Sequence, residues 1–131
     1  MKLLLDTHIW IWALLEPDRL SNDVRDALQS PENELWLSPI SVWEALLLAE
    51  RGRVSVNGSP VAWVQGLTSA LPRREAPITH DIAIASRGLT LPHQDPADRF
   101  LAATARVLGL TLVTADERLL GSTEFEVLAN V

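Results

Sequence analysis

A chain of 131 residues that is 47% hydrophobic, carries a net charge of −6 and lacks cysteine is expected to form one domain, residues 1–131, around an ordinary apolar core. The absence of cysteine excludes disulfides, thiolate catalysis and thiolate-held zinc or iron–sulfur centres. The acid excess disfavours loose adhesion to nucleic-acid phosphates, while ten arginines against the single lysine Lys2 favour bidentate phosphate contacts where any are made.

Asp6 and His8 interrupt the first apolar stretch, so no secretory leader is expected. No apolar run approaches the ~18 residues of a membrane span, and a cytoplasmic location is the expectation. Lys2–Leu5 reads as a buried strand, and Thr7–Leu15 as a helix stopped near Glu16-Pro17. Leu20, Val24, Ala27 and Leu28 recur at helical spacing behind Ser21 or Asn22. Glu34–Leu37 is a second strand. Ser38-Pro39 sets a capping residue before a proline at the first helical position. The helix it opens is predicted to run to about Glu50, with Val42, Trp43, Leu46, Leu47 and Ala49 inward, and to end at Gly52.

Pro60–Leu71 is predicted as a helix with Trp63, Val64, Leu67 and Leu71 inward, and Arg74–Ile78 as a third strand. Thr79 caps a helix through Arg87, closed by Gly88. Pro92–Pro96 is a loop. Pro96–Leu108 is a helix burying Phe100, Leu101, Thr104, Val107 and Leu108, closed by Gly109. Leu110–Val113 is a strand, Asp116–Leu120 a short helix and Phe125–Leu128 a last strand. Strands alternating with helices predict an α/β fold with a parallel sheet between helical layers.

Four acids stand where such a sheet binds ligands, at strand ends or first helical turns. Asp6 closes Leu3-Leu4-Leu5, and Asp116 follows Leu112-Val113-Thr114-Ala115. Glu44 lies past the second strand, and Asp98 lies in Asp95-Pro96-Ala97-Asp98-Arg99. Each has a structural explanation by itself. Asp6 and Asp116 suit helix caps, and Ser41-Val42-Trp43-Glu44 matches a capping box. Asp98 suits the positive end of a helix. Together they exceed what capping requires, since Asp95 already serves as the cap beside Asp98. Clustered carboxylates repel by on the order of a few kcal/mol per close pair, and a hard divalent cation offsets that repulsion. Thr7 and Thr114 carry hydroxyls beside these acids, suited either to orient them or simply to strand ends.

The segments Leu5-Asp6-Thr7-His8-Ile9-Trp10, Ser41-Val42-Trp43-Glu44, His93-Gln94-Asp95-Pro96-Ala97-Asp98-Arg99-Phe100-Leu101-Ala102-Ala103 and Thr114-Ala115-Asp116 resemble the motifs of PIN-domain ribonucleases. The nearest resemblance is to the VapC-type toxins of toxin–antitoxin pairs. It spans the whole chain in order. Asp-Pro-x-Asp-Arg with Thr-x-Asp is fairly specific as a combination and weak as separate pieces.

The resemblance implies a three-layer α/β/α fold around a parallel sheet of four or five strands. It also implies a Mg²⁺- or Mn²⁺-dependent endoribonuclease silenced by a cognate antitoxin. Asp6, Glu44, Asp98 and Asp116 carry over as the catalytic, metal-binding acids, with Thr7, Thr114, Asp95 and Arg99 around them. His8 stands where many relatives have asparagine. Arg99 is expected either at phosphate or in a salt bridge to Asp95 or a neighbouring acid.

His8, His80 and His93 read as hydrogen bonders of loops and helix starts. No Ser-His-Asp or phosphate-loop signature accompanies them. The five tryptophans read mostly as packing, with Trp10 or Trp12 a candidate subunit or antitoxin contact. The surplus of apolar helix residues (Trp12, Leu15, Leu46, Leu47, Leu48) predicts an antitoxin groove and a homodimer.

Two rival readings use the same residues. An aspartyl-phosphate phosphatase would place a second aspartate two residues after the first, where this chain has His8, and a phosphoacceptor domain would place a lysine late in the sheet. A non-catalytic PIN-like module that only binds a partner would have no need of all four acids.

Overall fold

A computed structural model describes the whole chain, Met1–Val131. Five short parallel strands form one sheet: β1 (Lys2–Leu5), β2 (Glu34–Leu37), β3 (Arg74–Glu75), β4 (Thr111–Thr114) and β5 (Glu126–Ala129), in the order β3-β2-β1-β4-β5. Six helices flank it: α1 (Thr7–Leu15), α2 (Asn22–Gln29), α3 (Pro39–Glu50), α4 (Pro60–Ala70), α5 (His80–Gly88) and α6 (Pro96–Leu108). Single 3₁₀ turns follow α1 and β4, at Pro17–Arg19 and Glu117–Leu119. This is the expected α/β/α sandwich. No helix is long and apolar enough to cross a membrane.

The alternation of side chains along β1 divides the core. Leu3 and Leu5 point into one cluster with Ile9, Trp10, Val24, Ala45, Val64 and Leu67, drawn from α1–α4. Leu4 points into the other, with Ile82, Leu101, Ala102 and Leu112 against α5 and α6. A strand covered on both faces has no polar side to present, which is why Leu3-Leu4-Leu5 is unbroken. β1 pairs with β2 through Leu3↔Leu35 and with β4 through Leu4↔Leu112. The chain first winds outward from β1 to β3, then returns to the other side of β1 as β4. The switch point therefore lies between β1 and β4, and both strands deliver their carboxyl ends to it.

Several expectations are corrected. β3 covers only Arg74–Glu75, not Arg74–Ile78. The Ala76 amide donates the last ladder bond to Leu37 O at 2.9 Å, and Pro77 has no N–H to continue it. β4 and β5 each begin one residue later than expected, and the segment after Asp116 is a 3₁₀ turn. Trp43 is 51% exposed rather than inward, and Val107 is also exposed. The fully buried residues of α3 are the small Ser41, Ala45 and Ala49, spaced four apart, and Val42, Leu46 and Leu48 pack half-buried beside them. Close approach to neighbouring elements selects that stripe and turns the bulky Trp43 outward. Of the apolar helix residues expected to form a partner groove, Leu15 is exposed and Trp12, Leu46, Leu47 and Leu48 are half-buried.

Candidate active site

Asp6 follows β1 directly and caps α1. Its Oδ1 accepts the Thr7 amide at 2.8 Å and its Oδ2 accepts the Thr114 hydroxyl at 2.6 Å. Thr7 holds a second acid, because its own hydroxyl donates to Glu44 Oε1 at 2.6 Å. Thr114, the last residue of β4, also accepts the Asp116 amide at 3.0 Å through its hydroxyl oxygen. Two threonines thus tie Asp6, Glu44 and Asp116 together from β1, α3 and β4.

Glu44 does not close a capping box. Ser38 caps α3 by accepting the Ile40 amide at 3.1 Å, so Glu44 lies in the second turn and faces Thr7. Asp95 caps α6 by accepting the Ala97 amide at 3.0 Å. Asp98 is left free of that duty and is buried, with Oδ2 2.7 Å from His93 Nε2. Asp6, Glu44, Asp95, Asp98 and Asp116 line one cleft of about 570 Å³.

Burial raises the Asp6 carboxyl above its ordinary value against the opposing hydrogen bonds from Thr114 and Thr7. Burial likewise pushes Glu44 to about 7 and Asp98 to about 6, with the neighbouring carboxylates adding to both. Asp116 moves the other way, held down chiefly by its hydrogen bonds to Arg118. Crowding and desolvation that hold back the ionisation of these carboxyls are an unfavourable interaction which a cation would offset. Glu44 is hydrogen-bonded through Oε1 and Asp98 through Oδ2, so one oxygen of each has no protein donor. Donor atoms of His93, Asp98 and Asp116 also lie within 4.8 Å of one another. An oxygen-rich set with one imidazole fits a hard divalent ion.

Two residues of this site escaped the sequence reading. Arg118 donates through Nε and Nη2 to the two oxygens of Asp116 at 3.1 and 2.8 Å, and its Nη2 lies 3.5 Å from Asp98 Oδ2. Its position two residues after Asp116, in a tight turn, was the available signal. His93 was set aside as a loop residue, although it stands five residues before Asp98.

The salt bridge expected of Arg99 is corrected. It is buried and donates to three backbone carbonyls: Ser86 at 3.0 Å, Leu89 at 2.7 Å and His93 at 3.4 Å. It pins the end of α5 and the following loop to α6 and makes no ion pair with Asp95 or another acid. His8 is exposed on α1 and its ring lies 5.7 Å from that of Trp12.

Residues 3–124 match the PIN domain family. Ribonuclease VapC22 of Mycobacterium tuberculosis is 37% identical over 119 residues, 88% of each chain. Among solved structures, the fold matches that of VapBC2 from Rickettsia felis bound to a DNA fragment from its promoter (TM-score 0.69, 15% identity, 98% of both chains). It also matches VapBC-1 from nontypeable Haemophilus influenzae (TM-score 0.67, 16% identity, 98% of both chains). At such identities these two matches concern the fold. The family match and the VapC22 likeness carry the assignment: the chain belongs to the PIN-domain family and resembles its VapC ribonucleases over most of its length.

Proposed function

We propose that this chain is a divalent-metal-dependent endoribonuclease, the toxin of a toxin–antitoxin pair, with Asp6, Glu44, Asp98 and Asp116 as its working acids. The observation that carries the reading is the convergence of these four acids, from four separate elements, on one cleft at the β1/β4 switch point. The likeness to a VapC ribonuclease supplies the substrate class.

Asp6, Asp98 and Asp116 would hold Mg²⁺ or Mn²⁺, and Glu44 would complete the oxygen set or position the attacking water. When bound, the cation supplies charge neutralisation at the phosphate and a more acidic water. The protein's own share is orientation. Thr114 fixes Asp6 and draws the Asp116 backbone toward it, while Thr7 fixes Glu44. Asp95 sets the first turn of α6 and so the height of Asp98. Arg118 sits where it can shift from carboxylate to the substrate phosphate.

The fold is shared with a toxin–antitoxin complex from Klebsiella pneumoniae and with a member of the VapBC family of toxin–antitoxin systems from Mycobacterium tuberculosis, which motivates a cognate antitoxin as partner. The exposed Leu15 and the half-buried Trp12 and Leu46 offer it a surface, and we expect the chain to pair with itself through a second one.

The test is cleavage of RNA with Mn²⁺ against an Asp98→Asn control. Asparagine keeps the shape and loses the charge, and Asp98 caps nothing, so the fold should persist while cleavage collapses. Normal cleavage by the variant, together with an unchanged Mn²⁺-induced thermal shift, would overturn the mechanism.

A further inference from the structure

The outer face of α3 carries chemistry that the acidic cleft does not use. Trp43, Leu47 and Arg51 stand four residues apart and form one stripe beside Glu44 and Leu48. The α3 helix ends on Gly52 at φ 67°. The Arg53 amide donates back to Leu48 O at 2.9 Å and the Gly52 amide to Ala49 O at 3.2 Å, the paired bonds of a Schellman close. This return sets Arg53 beside Leu48. There it borders both the acidic cleft and a second cleft of about 310 Å³, walled by Trp43, Leu47, Arg51 and by Pro96 and Ala97 of α6. The two clefts share Glu44, Leu48, Arg53 and Asp95, and so form one trough.

Arg51 and Arg53 are exposed and enter no ion pair, unlike Arg19, Arg25, Arg74, Arg106 and Arg118. Two unpaired guanidiniums therefore flank an exposed indole in a chain of net charge −6. Cations near a helix C-terminus complement its dipole, but the dipole gives no reason for a tryptophan in water.

We propose that this arm of the trough is a single-stranded RNA subsite. A base flanking the scissile bond stacks on Trp43, and Arg51 and Arg53 hold the adjoining phosphates. Stacking with arginine contacts to the backbone is the physical basis of sequence-tolerant single-strand binding. The arm accordingly sets how far the substrate must extend beyond the cut, not which bases it contains. Charge complementarity and continuity with the acidic cleft favour this occupant over a protein segment or a second copy. The inference rests on the ribonuclease reading for the location of the cut.

The experiment uses the full chain carrying Asp98→Asn, with fluorescent single-stranded oligoribonucleotides and Mg²⁺, read by anisotropy. Trp43→Ala should weaken binding about tenfold. The Arg51→Ser/Arg53→Ser pair should lower the slope of log affinity against log salt by roughly 1.4, two phosphate contacts on a single strand. Circular dichroism and thermal melts check that each variant folds. Parent-like affinity and salt slope in both variants would overturn the subsite, whatever the unmutated chain cleaves. A change of oligomeric state on Trp43→Ala, with RNA affinity intact, would also overturn it and give the face to a second copy. RNA binding that needs Trp43 in a chain that cleaves no RNA with Mn²⁺ would instead sink the ribonuclease reading and leave the subsite standing.

Discussion

Thr114 is donor to one acid and acceptor for the backbone of another, and valine is nearly its shape without the hydroxyl. Thr114→Val removes the donor to buried Asp6 Oδ2 and the acceptor of the Asp116 amide. Leaving buried polar groups unsatisfied costs about 1–3 kcal/mol, measurable by urea denaturation. Mn²⁺ affinity should fall by roughly 10–100-fold, the usual range for residues that orient ligands. Arg118 predicts the opposite sign. Its guanidinium bridges Asp116 and Asp98, so a metal ion held there as proposed would have to displace it. Arg118→Ala should bind Mn²⁺ tighter by roughly 2–5-fold in calorimetry, the scale of an exposed ion pair. Weaker binding would mean that Arg118 helps to shape the site. At this scale the sequence was informative about the acids, because Asp95 could be seen to take the capping role that Asp98 would otherwise have had. It was silent on Arg118 and misleading on Arg99. Nothing in a linear string distinguishes a guanidinium aimed at carbonyls from one aimed at carboxylates.

Helices whose ends carry their own chemistry were legible within a residue. Ser38-Pro39 opens α3, Asp95-Pro96 opens α6, and Gly109, at φ 66°, ends α6. The short edge strand β3 was not legible beyond its start, since a two-residue ladder leaves no period to read. The orientation of Trp43 was also hidden. Counting apolar residues placed Val42, Leu46 and Ala49 on the core side correctly, but close packing centred the buried stripe on Ser41, Ala45 and Ala49 and left Trp43 outside it. The element-scale prediction concerns the close of α3. No heavy atom lies within 4 Å of a Cβ built on Gly52, yet its φ is +67°. Gly52→Ala therefore meets no clash and costs only the left-handed backbone penalty, about 1–2 kcal/mol. The expected result is a modest loss in urea stability with weaker RNA retention, since the turn also places Arg53. Unchanged stability would show that the turn relaxes to another conformation.

For the molecule as a whole, the proposed metal site would couple folding and pH to cation binding. Glu44 rises from an ordinary 4.5 to about 7 and Asp98 from 3.8 to about 6 on folding, and Asp6 shifts in the same direction. A raised folded-state value means that the native state holds more protons than the unfolded chain. The stability these groups contribute is complete below pH 3.8–4.5 and is lost as pH climbs through 6 to 7. Asp116, shifted down, has the opposite sign, and its contribution fades only on strong acidification. In EDTA, then, the melting temperature should fall between pH 5 and 7.5. With Mn²⁺ the slope should flatten or reverse, because the cation binds deprotonated acids and expels their protons. At a hundred times its dissociation constant the ion adds about 2.7 kcal/mol, so the two melting curves should diverge most near pH 7.5 and converge near pH 5. Buffer-dependent heats of Mn²⁺ binding at pH 6.5 would report the released protons directly. A melting temperature in EDTA that rises steadily from pH 5 to 7.5 would mean that these carboxylates are solvated in the native state, and that the cleft is not the strained cation site described above.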